Sequence, residues 1–220
     1  MAPEEQVLVI ERKILKDVGM FQGLAFDVGR HLQKIFVQGV AHFMPRSQAE
    51  QDPAYKQIIP YVIMAHQGTY LTYVRGRRAG ESRLVGNRSI GIGGHINPAD
   101  DMPLFNAHFF ETYLTAVQRE VAEEVSVEAS HTDRVVALLN DDSNDVGRVH
   151  LGVVHYWKLE TPMVRRREQM ITQMGFMTPA ELQKVREELE TWSSLCLDSL
   201  SEIQKHAESS LESDMLFKNR

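Results

Sequence analysis

The segment FFETYLTAVQREVAEEVSVE, residues 109–128, is the most informative part of this 220-residue chain. Apolar side chains recur in it every three or four residues, at Leu114, Val117, Val121 and Val125. Because an α-helix turns once every 3.6 residues, this spacing predicts a helix with one apolar face that packs on a core. Charged residues occupy the positions between, and they are the candidates for chemistry.

Three glutamates share one side of this predicted helix. Glu123 and Glu124 lie about 60° and 40° to either side of Glu120, so the three carboxylates occupy an arc of about 100°. Carboxylates this close repel one another unless a cation offsets their charge. Mg²⁺ and Mn²⁺ prefer oxygen ligands of this kind, although acidic runs also occur on ordinary solvated helices.

Two further charges extend the pattern. Arg119 stands four residues before Glu123, where an ion pair across one helical turn can hold the glutamate in place. Glu111 precedes Arg119 with seven residues between them. This run resembles the Nudix box, in which a first glycine stands five residues before the leading glutamate and a second follows the last. Here sixteen residues separate the candidate glycine, Gly94, from Glu111, and Ser126 occupies the second glycine position.

The resemblance implies a hydrolase of the α+β class, with an α/β/α sandwich around a mixed β-sheet. In the family the three box glutamates bind Mg²⁺ or Mn²⁺, here Glu120, Glu123 and Glu124. The carbonyl group of the box glycine, here Gly94, often joins them, and Glu111 and Arg119 match the supporting members. The implied substrate is a diphosphate joined to another group, often a nucleoside diphosphate derivative, and water attacks one phosphorus atom.

The general base of this reaction is open between two glutamates. Glu120 in the box is one candidate. Glu168, in the loop before the C-terminal helix, is the other, because members of the family place the base variably. An exposed ion pair with the arginines before it is the plain alternative for Glu168.

Substrate contacts are expected from two parts of the chain. His95 and Asn97 follow the glycine pair directly, and they would face the cleft if Gly94 joins the metal site. Arg78 and Arg88 belong to a basic stretch after a predicted hairpin, which favours phosphate binding. A solvated hairpin end has the same composition and remains the alternative for both arginines.

Two other sets of metal-type residues are not predicted to form a metal site of their own. His150 and His155 are an odd five residues apart on a predicted strand, so their side chains point to opposite faces and cannot form a paired site. The aspartates of DDSND, residues 141–145, lack the glycine and terminal glutamate of a calcium loop. A polar turn is therefore predicted there.

The order of apolar and polar segments predicts one main domain, residues 55–200. A strand and a helix precede it in residues 1–54, and a helix end and tail follow in residues 201–220. The helix of the extension is predicted from apolar residues at helical spacing between Leu24 and Phe36, and the polar residues 42–56, with two prolines, are predicted to form a connection. The N-terminal extension carries no readable chemistry, and its role is open between packing on the core and a homodimer contact.

Local patterns place two elements of the main domain. IIPYVIMAHQGTYLTYVRG predicts a β-hairpin that turns at Gln67 and Gly68. Thr178, Pro179 and Glu181 form a capping box that predicts the start of a C-terminal helix. That helix is predicted to run as far as Cys196.

The composition and the apolar pattern of the chain limit which other classes of protein it can belong to. The net charge of −6 argues against binding of nucleic-acid polymers. The N-terminus lacks the pattern of a secretory signal, and no run of about 18 apolar residues predicts a membrane span. The single cysteine, Cys196, is predicted to be a buried core thiol, which fits a reducing cytoplasm.

Two other functions are considered on the same fold. A binding or regulatory module would keep the fold without the chemistry, but the complete set of carboxylates counts against it. An isomerase of prenyl diphosphates would need a proton donor and acceptor across the substrate, commonly a cysteine. Cys196 is predicted to lie in the C-terminal helix, away from the box.

Overall fold

The computed structural model describes residues 4–37, 39–76, 86–100, 109–167 and 171–209. Strands in these residues are β1 (Gln6–Glu11), β2 (Gly23–Ala25), β3 (His42–Pro45), β4 (Tyr55–His66), β5 (Thr69–Arg75), β6 (Arg88–Ser89), β7 (Gly91–Ile92), β8 (Val125–Val127), β9 (His131–Asn140), β10 (His150–Leu159), β11 (Val164–Arg166) and β12 (Ile171–Met177). Helices are α1 (Arg12–Val18), α2 (Val28–Ile35), α3 (Arg46–Ala49), α4 (Phe109–Glu124), α5 (Asp145–Arg148), α6 (Pro179–Lys184), α7 (Thr191–Asp198) and α8 (Leu200–Glu208). None of these described helices has the length and apolar character needed to cross a membrane.

Ten of the described strands form one sheet, whose main order is β12-β5-β4-β10-β9-β2. β4 and β10 run parallel at its centre, whereas β10 and β9, β9 and β2, and β4 and β5 pair antiparallel. β4 and β10 are buried along almost their whole length, as strands covered on both faces must be. The sheet is therefore mixed.

Successive side chains of the sheet point to opposite faces, and each face has its own core. The core on the α4 side contains Ile58, Val62 and Met64 of β4 with Tyr113 and Val117 of α4. The core on the other side contains Tyr61, Ile63 and Ala65 of β4 with Cys196 and Ile203 of the C-terminal helices. The predicted α+β class and α/β/α sandwich with a mixed sheet are confirmed.

β4 and β5 form the predicted hairpin. Its two turn residues, Gln67 and Gly68, both have positive φ, 47° and 77°. This combination is typical of a type I′ turn, whose twist matches that of the two strands. The hairpin brings Arg75, the last residue of β5, to the edge of the candidate site.

The N-terminal segment contains more than the predicted strand and helix. β1 ends at Glu11, and α1 follows at once. Leu24 was predicted to begin the helix but lies in β2. The polar segment 42–56 was predicted to be a connection, but its first part forms β3 and α3. Pairing of β1 with β4 and of β2 with β9 stabilises these short strands. The boundary at residue 55 remains a prediction.

The C-terminal helix begins as predicted but is not continuous. The hydroxyl group of Thr178 accepts the Glu181 N–H, and the Glu181 carboxylate accepts the Thr178 N–H at 2.8 Å. α6 then ends at Lys184, and α7 begins only at Thr191. Helical propensity predicts an unbroken helix here. The Glu190 carboxylate instead accepts a hydrogen bond from Ser89 in the sheet, and this tertiary contact outweighs the local preference for a helix.

α4 ends at Glu124 and leads directly into β8. Ser126 lies in β8 opposite Arg165 of β11, so the chain needs no left-handed glycine at this place. Arg167 closes the end of the helix: its backbone N–H donates to the Glu124 carbonyl group at 3.0 Å, and its side chain donates to that of Ala122 at 2.7 Å. A basic side chain at a helix C-terminus is stabilising.

Lys56 of β4 is fully buried and joins three segments. Its Nζ donates to Asp142 Oδ1 at 2.9 Å and to the carbonyl groups of Gly147 and His150 at 2.7 and 3.2 Å. Lys56→Met is expected to lower the free energy of unfolding by about 2–3 kcal/mol, because three acceptors lose their donor. Urea unfolding measures the change. Lys158→Met, at an exposed position of β10, is the matched control, and an equal loss in both variants would contradict this role.

Candidate active site

Arg119 is the centre of the site that α4 forms with the loop before it. Its Nε and Nη2 donate to the two carboxylate oxygens of the buried Asp100 at 2.6 and 2.8 Å. Its Nη1 donates to Glu120 at 2.7 Å and to Glu123 at 3.3 Å. The ion pair predicted between Arg119 and Glu123 is present, but Asp100 is the main partner. The hydrogen bonds to Asp100, above all, raise the pKa of Arg119 and keep it charged.

The same guanidinium group ties the glycine loop to the helix. Arg119 Nη2 also donates to the carbonyl group of His95 at 2.9 Å. The backbone N–H of Asn97 donates to Asp100 at 2.8 Å, which fixes the loop a second time. Gly94 therefore lies against α4 despite the long stretch of sequence between them.

Gly94 and Glu120 approach one another closely. A Cβ atom at position 94 would lie 2.0 Å from Oε2 and 2.2 Å from Cδ of Glu120, so any side chain there would force the carboxylate to move. Glycine lets the carboxylate meet the backbone in its present position. Burial raises the pKa of Glu120, and the neighbouring Arg119 opposes that rise. The loop therefore places the Gly94 backbone beside the Glu120 carboxylate, and hard divalent cations select carboxylate and carbonyl oxygens.

The other two box glutamates differ in their exposure. Glu123 exposes 54% of its side chain and points to Arg119. Glu124 has a buried carboxylate oxygen, Oε2. Burial raises the pKa of Tyr73, and the negative charge of Glu124 raises it further, which places this carboxylate on the inner side of α4. The three glutamates therefore extend from solvent into the interior along one stretch of helix.

A cavity of about 130 Å³ opens beside Gly94. Its lining combines apolar and aromatic surface with two positive charges, from Ile59, Tyr61, Trp192, Arg46 and Arg75. Pockets of this composition bind ligands that carry both a planar or apolar group and an anion. The cavity and the box thus share the backbone at Gly94.

Glu190 fixes one wall of this cavity. Its carboxylate accepts hydrogen bonds from Ser89 Oγ at 2.6 Å and from Arg75 Nε at 3.1 Å. The side chain is 4% exposed, so the buried charge is paired. Arg75 is thereby held in one orientation at the edge of the cavity.

The predicted substrate contacts have different positions. His95 lines the cavity, and its burial, with the nearby Arg46, lowers the pKa of the imidazole to about 2. Asn97 is not among the lining residues, and it connects the loop to Asp100 instead.

Glu111 is exposed in the first turn of α4, where a carboxylate stabilises the helix N-terminus.

Arg88 is turned towards the C-terminal segment. It donates to Glu188 at 3.4 Å and to Gln173 at 3.2 Å, so its visible contacts connect β6 with other elements. Arg78 and Glu168 lie outside the described residues, and their predicted roles remain predictions.

Sequence reasoning missed several residues of the site. Asp100, Arg46, Glu190 and Trp192 carry no recognisable local pattern, and Arg46 lies in a segment predicted as a connection. Only the folded chain brings them beside residues 94 and 95.

Cys196, in contrast, is buried as predicted. Burial raises the pKa of its thiol, which therefore stays protonated in the core.

Comparisons with known proteins identify the family of this chain. No family model matches the chain. Protein YmaB of Bacillus subtilis is 32% identical over 206 residues, which cover 90% of this chain and 98% of YmaB. Among solved structures, Tm1382, described as a candidate Nudix hydrolase, is 28% identical with a TM-score of 0.71, over 89% of this chain and 98% of Tm1382. The Nudix domain of Shewanella oneidensis NrtR, solved with ADP ribose, is 13% identical with a TM-score of 0.50, over 74% of this chain and 99% of that domain. The chain belongs to the family of YmaB and to the Nudix hydrolase superfamily.

Proposed function

We propose that this protein is a metal-dependent pyrophosphohydrolase, which cleaves a diphosphate linkage in a nucleoside diphosphate derivative by attack of water on phosphorus. The observation that carries the proposal is the close approach of Gly94 and Glu120 beside a cavity. Membership of the Nudix hydrolase superfamily supports hydrolysis of this type of linkage.

The residues that would hold Mg²⁺ or Mn²⁺ are Gly94, through its backbone, and the three box glutamates, Glu120, Glu123 and Glu124. All of them offer oxygen, which these hard cations prefer to nitrogen or sulfur. When bound, such an ion neutralises charge on the phosphoryl oxygens and lowers the pKa of the attacking water. A side chain larger than hydrogen at position 94 would displace Glu120 from this arrangement.

Arg119 and Asp100 act as positioning residues in this proposal. The two-pronged hydrogen bond to Asp100 fixes the guanidinium plane and leaves Nη1 for Glu120 and Glu123. Carboxylates that are fixed before the substrate binds do not have to reorganise during the reaction.

Glu120 is the proposed general base. Burial raises its pKa, which makes it a stronger proton acceptor than an exposed glutamate, while Arg119 favours its ionised form. Its Oε1 accepts the hydrogen bond from Arg119, so Oε2, on the side of Gly94, is the oxygen that would either bind the ion or receive the proton of the water. Where Oε2 binds the ion, Glu168 is the second candidate for the base.

The cavity supports a substrate with an organic group on its diphosphate. Trp192 packs edge-on against Tyr61, with 5.6 Å between the ring centroids, and the two rings give an aromatic surface for a nucleoside. Arg46 and Arg75 provide the positive charge that a phosphate group requires.

Metal removal is the direct test. We expect at least one diphosphate compound among nucleotide sugars, dinucleoside polyphosphates, ADP-ribose and nucleoside triphosphates to be hydrolysed with Mg²⁺ or Mn²⁺, and EDTA to abolish the turnover. Reaction in ¹⁸O-labelled water should place the label in one phosphate product, because water attacks phosphorus. Tight nucleotide binding without metal-stimulated hydrolysis would instead identify a binding or regulatory module.

A further inference from the structure

A second group of potential metal ligands lies next to the box. Glu50, His95 and His150 each offer a donor atom, and these three atoms lie within 4.8 Å of one another. Within the described parts of the chain, no other set of three histidine, cysteine or carboxylate side chains meets this distance. The three residues come from separate elements: the end of α3, the loop after β7 and the start of β10.

The tautomer of His150 is the one that a metal ligand needs. Its Nδ1 lies 2.7 Å from the carbonyl oxygen of Val146. A carbonyl oxygen can only accept, so Nδ1 carries a proton, and in the neutral ring Nε2 is the nitrogen that can bind a metal. Histidines that bind metals almost always donate their second ring N–H in this way.

Nε2 of His150 faces the Glu50 carboxylate. The distance from Nε2 to Oε1 of Glu50 is 3.9 Å. A metal ion between these two atoms would bind both of them. The His150 side chain is 7% exposed, so little water can screen the pair.

His95 adds a buried nitrogen that needs a partner. Its Nε2 is buried, and no hydrogen-bond partner for it lies among the described residues. Its ring centroid is 5.6 Å from that of His150. A buried nitrogen without a partner is costly, which favours a ligand that the described side chains do not supply.

We infer that Glu50, His95 and His150 bind a transition-metal ion, with Zn²⁺ the best match, at a site distinct from the box glutamates. Two imidazoles and one carboxylate are a known ligand set for zinc, whereas Mg²⁺ prefers oxygen alone. Ligand atoms around a tetrahedral zinc ion lie about 3.3 Å apart, so donor atoms up to 4.8 Å apart must approach one another by at most about 1.5 Å. Three protein ligands leave a fourth position open, and His95 and His150 both line the cavity.

The charges near this zinc site are of both signs. Arg46 Nε lies 3.6 Å from Glu50 Oε1, and its Nη1 is also paired with Glu5 at 2.8 Å. Arg46 and Arg119 are positive groups that act on His95. The Glu50 carboxylate supplies a negative charge among the three ligands, and a phosphate group in the same place would face it.

The test measures metal binding without any substrate. Metal-free protein in excess Mg²⁺, which occupies oxygen-donor sites, is titrated with Zn²⁺ by calorimetry and with Co²⁺ by visible absorption. One Zn²⁺ per chain is expected, together with the absorption bands of a low-coordinate Co²⁺ ion. His150→Ala is expected to weaken Zn²⁺ binding at least about 100-fold, since even the loss of a supporting contact costs about 10–100-fold.

Two controls locate the ion. His42→Ala removes an exposed histidine and should leave Zn²⁺ binding unchanged. Glu123→Gln alters the box and should also leave it unchanged, so failure of this proposal and failure of the proposed hydrolysis are separate results. Because His150 also holds Val146, Glu50→Gln provides a second variant if His150→Ala does not fold.

The inference is overturned if Zn²⁺ binds equally well to the wild type and to Glu50→Gln. It is also overturned if Glu123→Gln abolishes the binding, because the ion would then lie at the box. Binding of inorganic phosphate by a protein that takes up no Zn²⁺ would identify an anion site instead.

Discussion

Glu123→Gln is expected to lower the turnover of a diphosphate substrate by about 10²–10³-fold, the usual cost of removing a charged contact to the reacting group. Its side chain is largely exposed, so the free energy of unfolding should change by no more than about 0.5 kcal/mol. Phosphate release under saturating Mg²⁺ measures the first quantity, and thermal unfolding measures the second.

Glu128→Gln is the matched control for this variant. Glu128 is an exposed glutamate just beyond β8, and it pairs with Arg165 rather than with the box. Its turnover should equal that of the wild type. Unchanged turnover in both Glu123→Gln and Glu124→Gln would refute the assignment of the box glutamates.

Gly94→Ala is expected to lower kcat/KM by about 100-fold or more, because displacement of a catalytic group by about 1 Å has an effect of this size. The added Cβ would lie 2.0 Å from the Glu120 carboxylate, which Arg119 holds at its other oxygen. The carboxylate must therefore move away from the loop. Steady-state kinetics with the best substrate of the panel measures the loss.

A second glycine provides the control for backbone effects. Gly175 of β12 has nothing within 4 Å of the place where its Cβ would lie. Gly175→Ala should keep wild-type turnover. If Gly94→Ala also kept it, the close approach of loop and helix would have no part in catalysis.

The parts of the fold that the sequence predicted are those with local causes. The apolar spacing of α4 and the turn at Gln67 and Gly68 depend on residues near one another in the chain, and the turn is present as predicted. Of the predicted apolar face, Val117 and Val121 are buried in α4 and Val125 is buried at the start of β8, but Leu114 is exposed, so the prediction was wrong for that residue. The break after Lys184 could not be predicted, because Glu190 leaves the helical path for partners about a hundred residues away. Short-range patterns contain no information about such contacts.

The contacts of the site also fall into those that local spacing predicts and those that only the folded chain forms. Arg119 and Glu123 are one helical turn apart, and their ion pair follows from that spacing alone. Asp100 is the stronger partner of Arg119, yet nothing in the sequence singles it out among the neighbouring polar residues. Glu50 and His150 illustrate the limit most clearly, since a hundred positions separate them and only the sheet brings them together.

The buried Lys56 has a consequence for the order of events during synthesis of the chain. It bonds to the carbonyl group of His150, 94 positions further along, and β4 pairs with β10 in parallel over the same region. Long-range parallel pairing forms slowly, because a large loop must close first. The β4–β5 hairpin can form early on the ribosome, whereas the cavity must wait until β10 has emerged. Fragments that stop before residue 150 should therefore expose the apolar edge of β4 and aggregate.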